Sequence, residues 1–328
     1  METICFPKQF GRDTLSEFFY ELETNQFTEN VTIDCSTLEY TYPTGMLIAG
    51  SKIREWLLIR KTHGLVNTVV GHNCSKQVHS YLSHLGFFDF ILIEGSKQIG
   101  EATGSMTYLP ITRLKKPNFD SSTQDVDEWY GDIMSGVRSL AKVVSGTLDD
   151  TEENRLYNYA FREIIRNVFE HSGAEECYVC GQRWWNGKVE IAVIDEGCGI
   201  ADSLRRSHTV SSDISAIKQA IRPGISSTTN ICDSENIYDN SGFGLYVLSE
   251  LASSFGWYTL GSGSARIVGQ QSTIKEDELN FNGTYFGMQL NSAPRQFGSL
   301  LTDIIHAGET EAKASGITQK ASGISKLF

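Results

Sequence analysis

The chain has 328 residues, of which 40% are hydrophobic and 21% charged, with a formal net charge of −12. That length suits about two domains of roughly 150 residues, and the acidic balance, with no basic run of five or more residues, works against nonspecific nucleic-acid binding. No run of about 18 apolar residues marks a membrane span, and METICFPKQF lacks the basic and apolar regions of a secretory signal, so a cytoplasmic protein with protein or small-molecule partners is expected.

VTIDCSTL (31–38) reads as a strand, followed by a turn at Tyr42-Pro43-Thr44-Gly45. From Met46 to Arg60 apolar residues recur at helical spacing. LVNTVVGH (65–72) reads as a strand, CSKQVHSYLSHLG (74–86) as a helix closed by Gly86, and FDFILIEG (88–95) as a third strand. This alternation predicts a small α/β domain over 1–100 with a mainly parallel sheet. His72 precedes the helix, and His79 and His84 stand five apart on it, about 140° out of phase. They read as surface or partly buried histidines rather than metal ligands.

The strand order and the stretch IDCSTLEYTYPTG resemble the STAS fold of anti-sigma-factor antagonists. The signature of that family is an apolar strand, an acidic or hydroxyl residue, a serine or threonine, and a glycine opening a helix. Thr44 precedes Gly45 as the signature requires, but Tyr42-Pro43 stands where an Asp-Ser pair is usual. Thr44 is then either a phosphorylation site or simply an N-cap for the next helix. The resemblance further points to the Thr44-Gly45 turn and its helix as a docking surface for a nucleotide domain, in cis or in another subunit.

Residues 101–124, rich in Gly, Ser, Thr and Pro, read as a linker. DVDEWYGDIMSGVRSLAKVV then opens a second domain, 125–291, as an amphipathic helix. The tail, 292–328, is low in large apolar residues near its end and reads as a segment that frays or docks on a partner. Seven cysteines show no disulfide-like spacing. Cys177 and Cys180 form a CxxC in a predicted strand, where residues three apart face opposite sides. Buried free thiols are expected there.

Four motifs follow in the second domain. In FREIIRNVFEHS, Glu163, Asn167 and Glu170 fall at i, i+4 and i+7 and share one helix face. KVEIAVID is an apolar strand that delivers Asp195 to its end, followed by Gly197 and Gly199. A strand-terminal carboxylate can accept from an exocyclic amine, which adenine presents and guanine does not. Gly242 and Gly244 precede the helix LYVLSELASSF, where backbone N–H groups suit phosphates. NGTYFGMQL carries Gly283-Thr284 on a core strand. The long polar stretch from about 203 to 241 reads as a lid.

In order and spacing these motifs resemble the GHKL superfamily, whose ATP-binding domain serves gyrase-type ATPases, chaperones, sensor histidine kinases and anti-sigma serine kinases. The resemblance covers about 125–291 and implies a Bergerat-type α/β sandwich, a mixed sheet covered on one face by helices. It implies ATP and Mg²⁺ as ligands, with Asn167 on the metal and Glu163 as general base. Asp195 and Thr284 would meet the adenine. Gly197, Gly199, Ile200, Gly242, Phe243, Gly244 and Leu245 would complete the nucleotide site with Glu170 and His171. His171 matches a histidine common in the kinase branches, whereas Glu170 stands where they often carry Lys. The expected function is a Ser/Thr protein kinase or partner-switching regulator with a STAS-type or sigma-factor-like protein partner, acting as a homo-oligomer. The alternatives are an ATP-gated conformational ATPase and an ATP-sensing module with negligible turnover. A sensor histidine kinase is disfavoured, because the helix before the nucleotide domain contains no histidine.

Overall fold

A computed structural model describes residues 2–73, 75–93, 97–102, 104–117, 126–147, 150–227, 241–323 and 326, with the backbone alone at 126–130 and 132. The first half runs β1 (Glu2–Cys5), β2 (Gln9–Phe10), α1 (Leu15–Thr24), β3 (Asn30–Asp34), β4 (Tyr40–Thr41), α2 (Pro43–Thr62), β5 (Val66–Val70), α3 (Gln77–His84) and α4 (Phe87–Phe90). Next come β6 (Tyr108–Lys115), α5 (Val126–Ser145), α6 (Glu152–Asn167), a π-helical turn (Val168–Ser172), β7 (Glu176–Arg183), β8 (Val189–Asp195), α7 (Ile200–Leu204) and α8 (Asp213–Ala220). The chain closes with α9 (Gly244–Phe255), β9 (Gly256–Gln270), β10 (Thr273–Leu290) and α10 (Phe297–Ala314). No helix among the described residues is long and apolar enough to cross a membrane.

The fold is mixed α/β with several sheets. β1, β3 and β5 form a parallel sheet in the order β1-β3-β5, as the N-terminal alternation predicts. The second sheet has the order β6-β7-β8-β10-β9, and all its neighbours are antiparallel rather than mixed. Two hairpins account for much of this. β7 returns as β8 through a turn closed by the Trp184 N–H to Lys188 carbonyl bond at 2.8 Å, and β9 returns as β10 at Gln271, with φ 53°. A tight turn joins only antiparallel neighbours.

Three further expectations are corrected. The described part of FDFILIEG, 88–93, is not a third strand: the chain turns at Gly86 (φ 82°) into the short helix α4. The Phe87 and Phe90 rings of α4 pack against Gly50 of α2, so tertiary packing overrides the local apolar run. Within the segment read as a linker, 108–115 form β6, the edge strand paired with β7; 118–124 lie outside the described residues. Within the tail, α10 carries Phe297, Leu301, Ile305, Gly308 and Ala312 on one buried stripe and packs on α6 and α9. Leu327 and Phe328 lie outside the described residues.

The five-stranded sheet has a core on each face. Val189, Ile191 and Val193 of β8 join the helix-side core with α5, α6, α9 and α10. Ala192 and Ile194 join the core of the N-terminal unit. Cys177 and Cys180 divide the same way, one to each core, as free buried thiols.

α2 fills the space between the two sheets, which explains its run of buried residues from Pro43 to Ser51. A helix apolar nearly all round is one packed on both sides. Pro43 stands at its first position, where a missing N–H costs nothing. Its N-cap is Tyr42, with no capping side chain, so Thr44 is not the N-cap. Instead the Thr44 N–H donates to Glu190 Oε1 of β8 at 3.0 Å. A side-chain oxygen from the sheet thus caps α2, satisfying one of the N–H groups that its first turn leaves without an intrahelical partner. Cys180 Sγ reaches the Pro43 carbonyl at 3.4 Å. The Thr44 turn and its helix are docked, in cis, on the sheet face opposite α6 and α9.

Candidate functional site

β8 is buried along its length, and its alternation sends Asp195 toward the helix layer, the side taken by Ile191 and Val193. Across the sheet Asp195 pairs with Thr284 of β10. The Gly197 N–H returns to Asp195 Oδ1 at 2.9 Å, and the Cys198 N–H donates to the Ser172 carbonyl at 2.7 Å. This turn is thereby tied to the π-helical turn after α6. On its other flank Gly283 adopts φ 105°, and a Cβ there would lie 2.1 Å from the Asp195 carbonyl oxygen. Only glycine serves at that position. A register irregularity of β10 lies between Phe281 and Thr284, where bulges commonly re-aim side chains.

Asp195 is 2% exposed. Burial pushes its carboxyl up to about 7, against the Gly197 N–H and the Ser172 hydroxyl, which favour the charged form. Ser262 of β9, absent from the sequence reading, braces the same corner. Its hydroxyl donates to the Gly283 carbonyl at 2.9 Å and accepts the Ile200 N–H at 2.9 Å.

α6 forms the facing wall. Thr151 caps it, accepting the Asn154 N–H at 3.1 Å, and the helix stays α-helical through Asn167. Glu163 is 4% exposed and pairs with Arg162 at 3.0 Å. Gly244, opening α9, sits against the same carboxylate: a Cβ there would meet Glu163 Oε2 at 2.4 Å. After Asn167 the π-helical turn breaks the α-helical phase, so Glu170 leaves the Glu163–Asn167 face. Its carboxylate is buried against Arg166 Nε at 2.9 Å. π-turns inside helices often mark functional sites. His171 Nδ1 lies 3.0 Å from Ser227 Oγ. Burial, with Arg166 and Arg206 nearby, lowers its pKa to about 4, which keeps the ring neutral near pH 7.

Glu163, Asn167, His171, Asp195, Gly199, Ile200, Gly242, Gly244, Leu245 and Thr284 line one cleft. Three residues singled out with them do not. Glu170 is engaged by Arg166, Gly197 lies behind the Asp195 turn, and Phe243 is fully buried in the helix-side core. The cleft also takes in Arg166, Ser172, Ser226 and Ser227. Of these, Arg166 and Ser172 belong to FREIIRNVFEHS without having been singled out, and Ser226 and Ser227 come from the stretch read as a lid. The cleft volume is about 110 Å³, below the roughly 300–1,000 Å³ usual for small-molecule sites. A nucleotide-sized ligand therefore requires it to open.

The segment read as a lid is more structured than its composition suggests. Residues 213–220 form α8, which packs on β9, and Asp213 Oδ2 accepts the Ser264 N–H at 2.8 Å. Ser226 and Ser227 contribute to the cleft wall; 228–240 lie outside the described residues. His79, set aside as a metal ligand, is buried with Nε2 3.0 Å from the Cys35 carbonyl and Nδ1 accepting the Asn73 N–H. Scanned against protein-family models the chain matches none, and a search of curated proteins returned no match.

Proposed function

We propose that the cleft binds ATP with Mg²⁺, and that the chain is a GHKL-type Ser/Thr protein kinase or partner-switching regulator. The observation that carries this reading is the convergence of four motifs, spread over some 120 residues of sequence, around the buried Asp195 carboxyl. A carboxylate buried at the end of a cleft, with the Ser172 hydroxyl and the Thr284 N–H on it, suits an amine-bearing heterocycle. α9 starts at Gly244 without a capping side chain, so its first-turn amides suit phosphate oxygens.

The donor set also suits magnesium. No cluster of three or more metal-ligating side chains exists among the described residues, and Mg²⁺ needs few, since it keeps waters and phosphate oxygens as ligands. Asn167 would hold it through one side-chain oxygen. The ion would neutralise charge on the triphosphate. Glu163 would orient a water or a substrate hydroxyl as general base, once its carboxylate is released from Arg162.

Two observations bear on the reaction. Thr44 is fully buried, on the sheet face opposite the cleft, so in this arrangement Thr44 is not presented to the cleft as a phosphoryl acceptor. The Glu163–Arg162 pair, both side chains buried, favours the second reading, an ATP-gated conformational protein. Incubation of the pure protein with γ-labelled ATP and Mg²⁺ separates the two. Label on Ser or Thr supports the kinase, released phosphate the gating ATPase, and binding without either a sensor. Failure to bind ATP–Mg²⁺ at all sinks the reading.

A further inference from the structure

One face of α2 reaches both glycine turns that flank the base end of the cleft. Ser51, Arg54 and Glu55 stand at i, i+3 and i+4, so they project together. Ser51 Oγ donates to Glu196 Oε1 at 2.8 Å, and Arg54 Nη2 pairs with Glu196 Oε2. Glu196 lies between Asp195 and Gly197, in the turn closed on Asp195 Oδ1. Glu55 accepts from the Asn282 side chain, and Asn282 precedes Gly283-Thr284. Arg54 is itself held firmly: Nη1 donates to Tyr178 OH at 2.9 Å, and the guanidinium stacks 4.6 Å from the Phe90 ring centroid and 4.7 Å from that of Tyr178.

We infer that Ser51, Arg54 and Glu55 are positioning residues for the nucleotide cleft, so that docking of the N-terminal unit and nucleotide binding are thermodynamically linked. This rests on the ATP reading above. The physical basis is direct. The Asp195 turn is held on its inner side by its own Gly197 N–H and by the π-helical turn, and on its outer side by Glu196 in the grip of α2. The Gly283 turn is held by Asn282 in the same way. An undocked α2 leaves both turns without their outer support, and a nucleotide that requires both turns in place favours the docked arrangement. Linkage makes the effect reciprocal: what the unit adds to nucleotide affinity, nucleotide adds to docking.

The test uses the full chain, a non-hydrolysable ATP analogue and Mg²⁺, with calorimetry for affinity and amide exchange over α2 as the second readout. Arg54→Ala and Glu196→Gln are each expected to weaken the analogue by about 5- to 50-fold. Their double variant should lose less than the sum of the two singles, since the Arg54–Glu196 pair is lost in all three. In the wild type the analogue should slow exchange of α2 amides. Ser51→Ala removes a single hydroxyl and gives a smaller loss should Arg54→Ala fold poorly. Folded variants that bind like wild type overturn the inference, while the ATP reading stands. Weakened binding with α2 exchange indifferent to the analogue overturns it too, because linkage must run both ways. If the wild type does not bind the analogue, the ATP reading fails and the inference falls with it.

Discussion

Two carboxyls on one strand, five residues apart, show how differently the two faces of the sheet are built. Asp195 and Glu190 are both almost fully buried, and burial raises both to about 7. Glu190 faces α2 and is sealed: its Oε1 takes the Thr44 N–H at 3.0 Å, and Gly287 of the neighbouring strand lets Thr44 approach. Asp195 faces the helices and borders a cleft, with partners drawn from glycine turns and hydroxyls. Similar electrostatics thus serve two ends. On one face a buried carboxyl joins two units, and on the other it waits beside a cavity. The comparison teaches that a raised carboxyl marks function only together with the space in front of it.

If this division holds, changes on the helix face alter ligand binding and chemistry, and changes on the α2 face alter docking and stability. The largest expected effect is on the helix face. Glu163→Gln should lower turnover of ATP by about 10²- to 10⁴-fold, the usual general-base contribution, and leave binding of the analogue near wild type. A single-turnover rate equal to wild type would remove Glu163 from the chemistry.

The α2 face should show itself through pH. The folded state holds a proton on Glu190 up to about pH 7, whereas the unfolded chain releases it near 4.5. Stability must therefore fall as pH rises from about 4.5 to about 7, and level off above, by at most about 3 kcal/mol from this group. Asp195 acts with the same sign. Glu190→Gln keeps an acceptor for the Thr44 N–H and should flatten part of that slope in urea titrations at several pH values. An unchanged slope would mean that Glu190 is not the buried acid described.

A smaller effect belongs to packing. A Cβ at Gly287 would lie 2.5 Å from Thr44 Cγ2, so Gly287→Ala should cost about 1–3 kcal/mol of stability through overpacking. It should also expose α2 to proteolysis ahead of α6. Equal protection of the two helices in the variant would argue against separate consequences for the two faces.

How much of this was legible in the sequence follows from where each signal is local. The Asp195 strand end, the Gly244 helix start and the Glu163–Asn167 spacing are local patterns, and the structure gathers them around one cleft. Glu170 was misread because nothing in VFEHS announces a π-helical turn, and a change in helical phase moves a side chain off its face. β6 was hidden by flanking Gly, Ser and Pro, and its strand character comes from pairing with β7. The run FDFILIEG (88–95) reads as a strand in isolation, and its first residues are helical because the Phe87 and Phe90 rings of α4 pack on Gly50 of α2. Ser262 could not be found at all, since its role depends on β9 lying beside Gly283. Nor could the cap from Glu190 to α2, which joins residues 146 positions apart.

The central claim, that Asp195 reads adenine in this cleft, is tested most directly by calorimetric titration of the full chain with ATP and with GTP, each with Mg²⁺, between pH 6 and 8. The account predicts that ATP binds and GTP binds at least about tenfold more weakly, as loss of a charge-assisted hydrogen bond of about 1.5–3 kcal/mol requires. ATP affinity should decline as pH falls through about 7, where Asp195 takes up its proton, and in Asp195→Asn both the preference and the pH dependence should be lost. Equal affinity for the two nucleotides, or an Asp195→Asn variant that binds ATP like wild type at every pH, would contradict it.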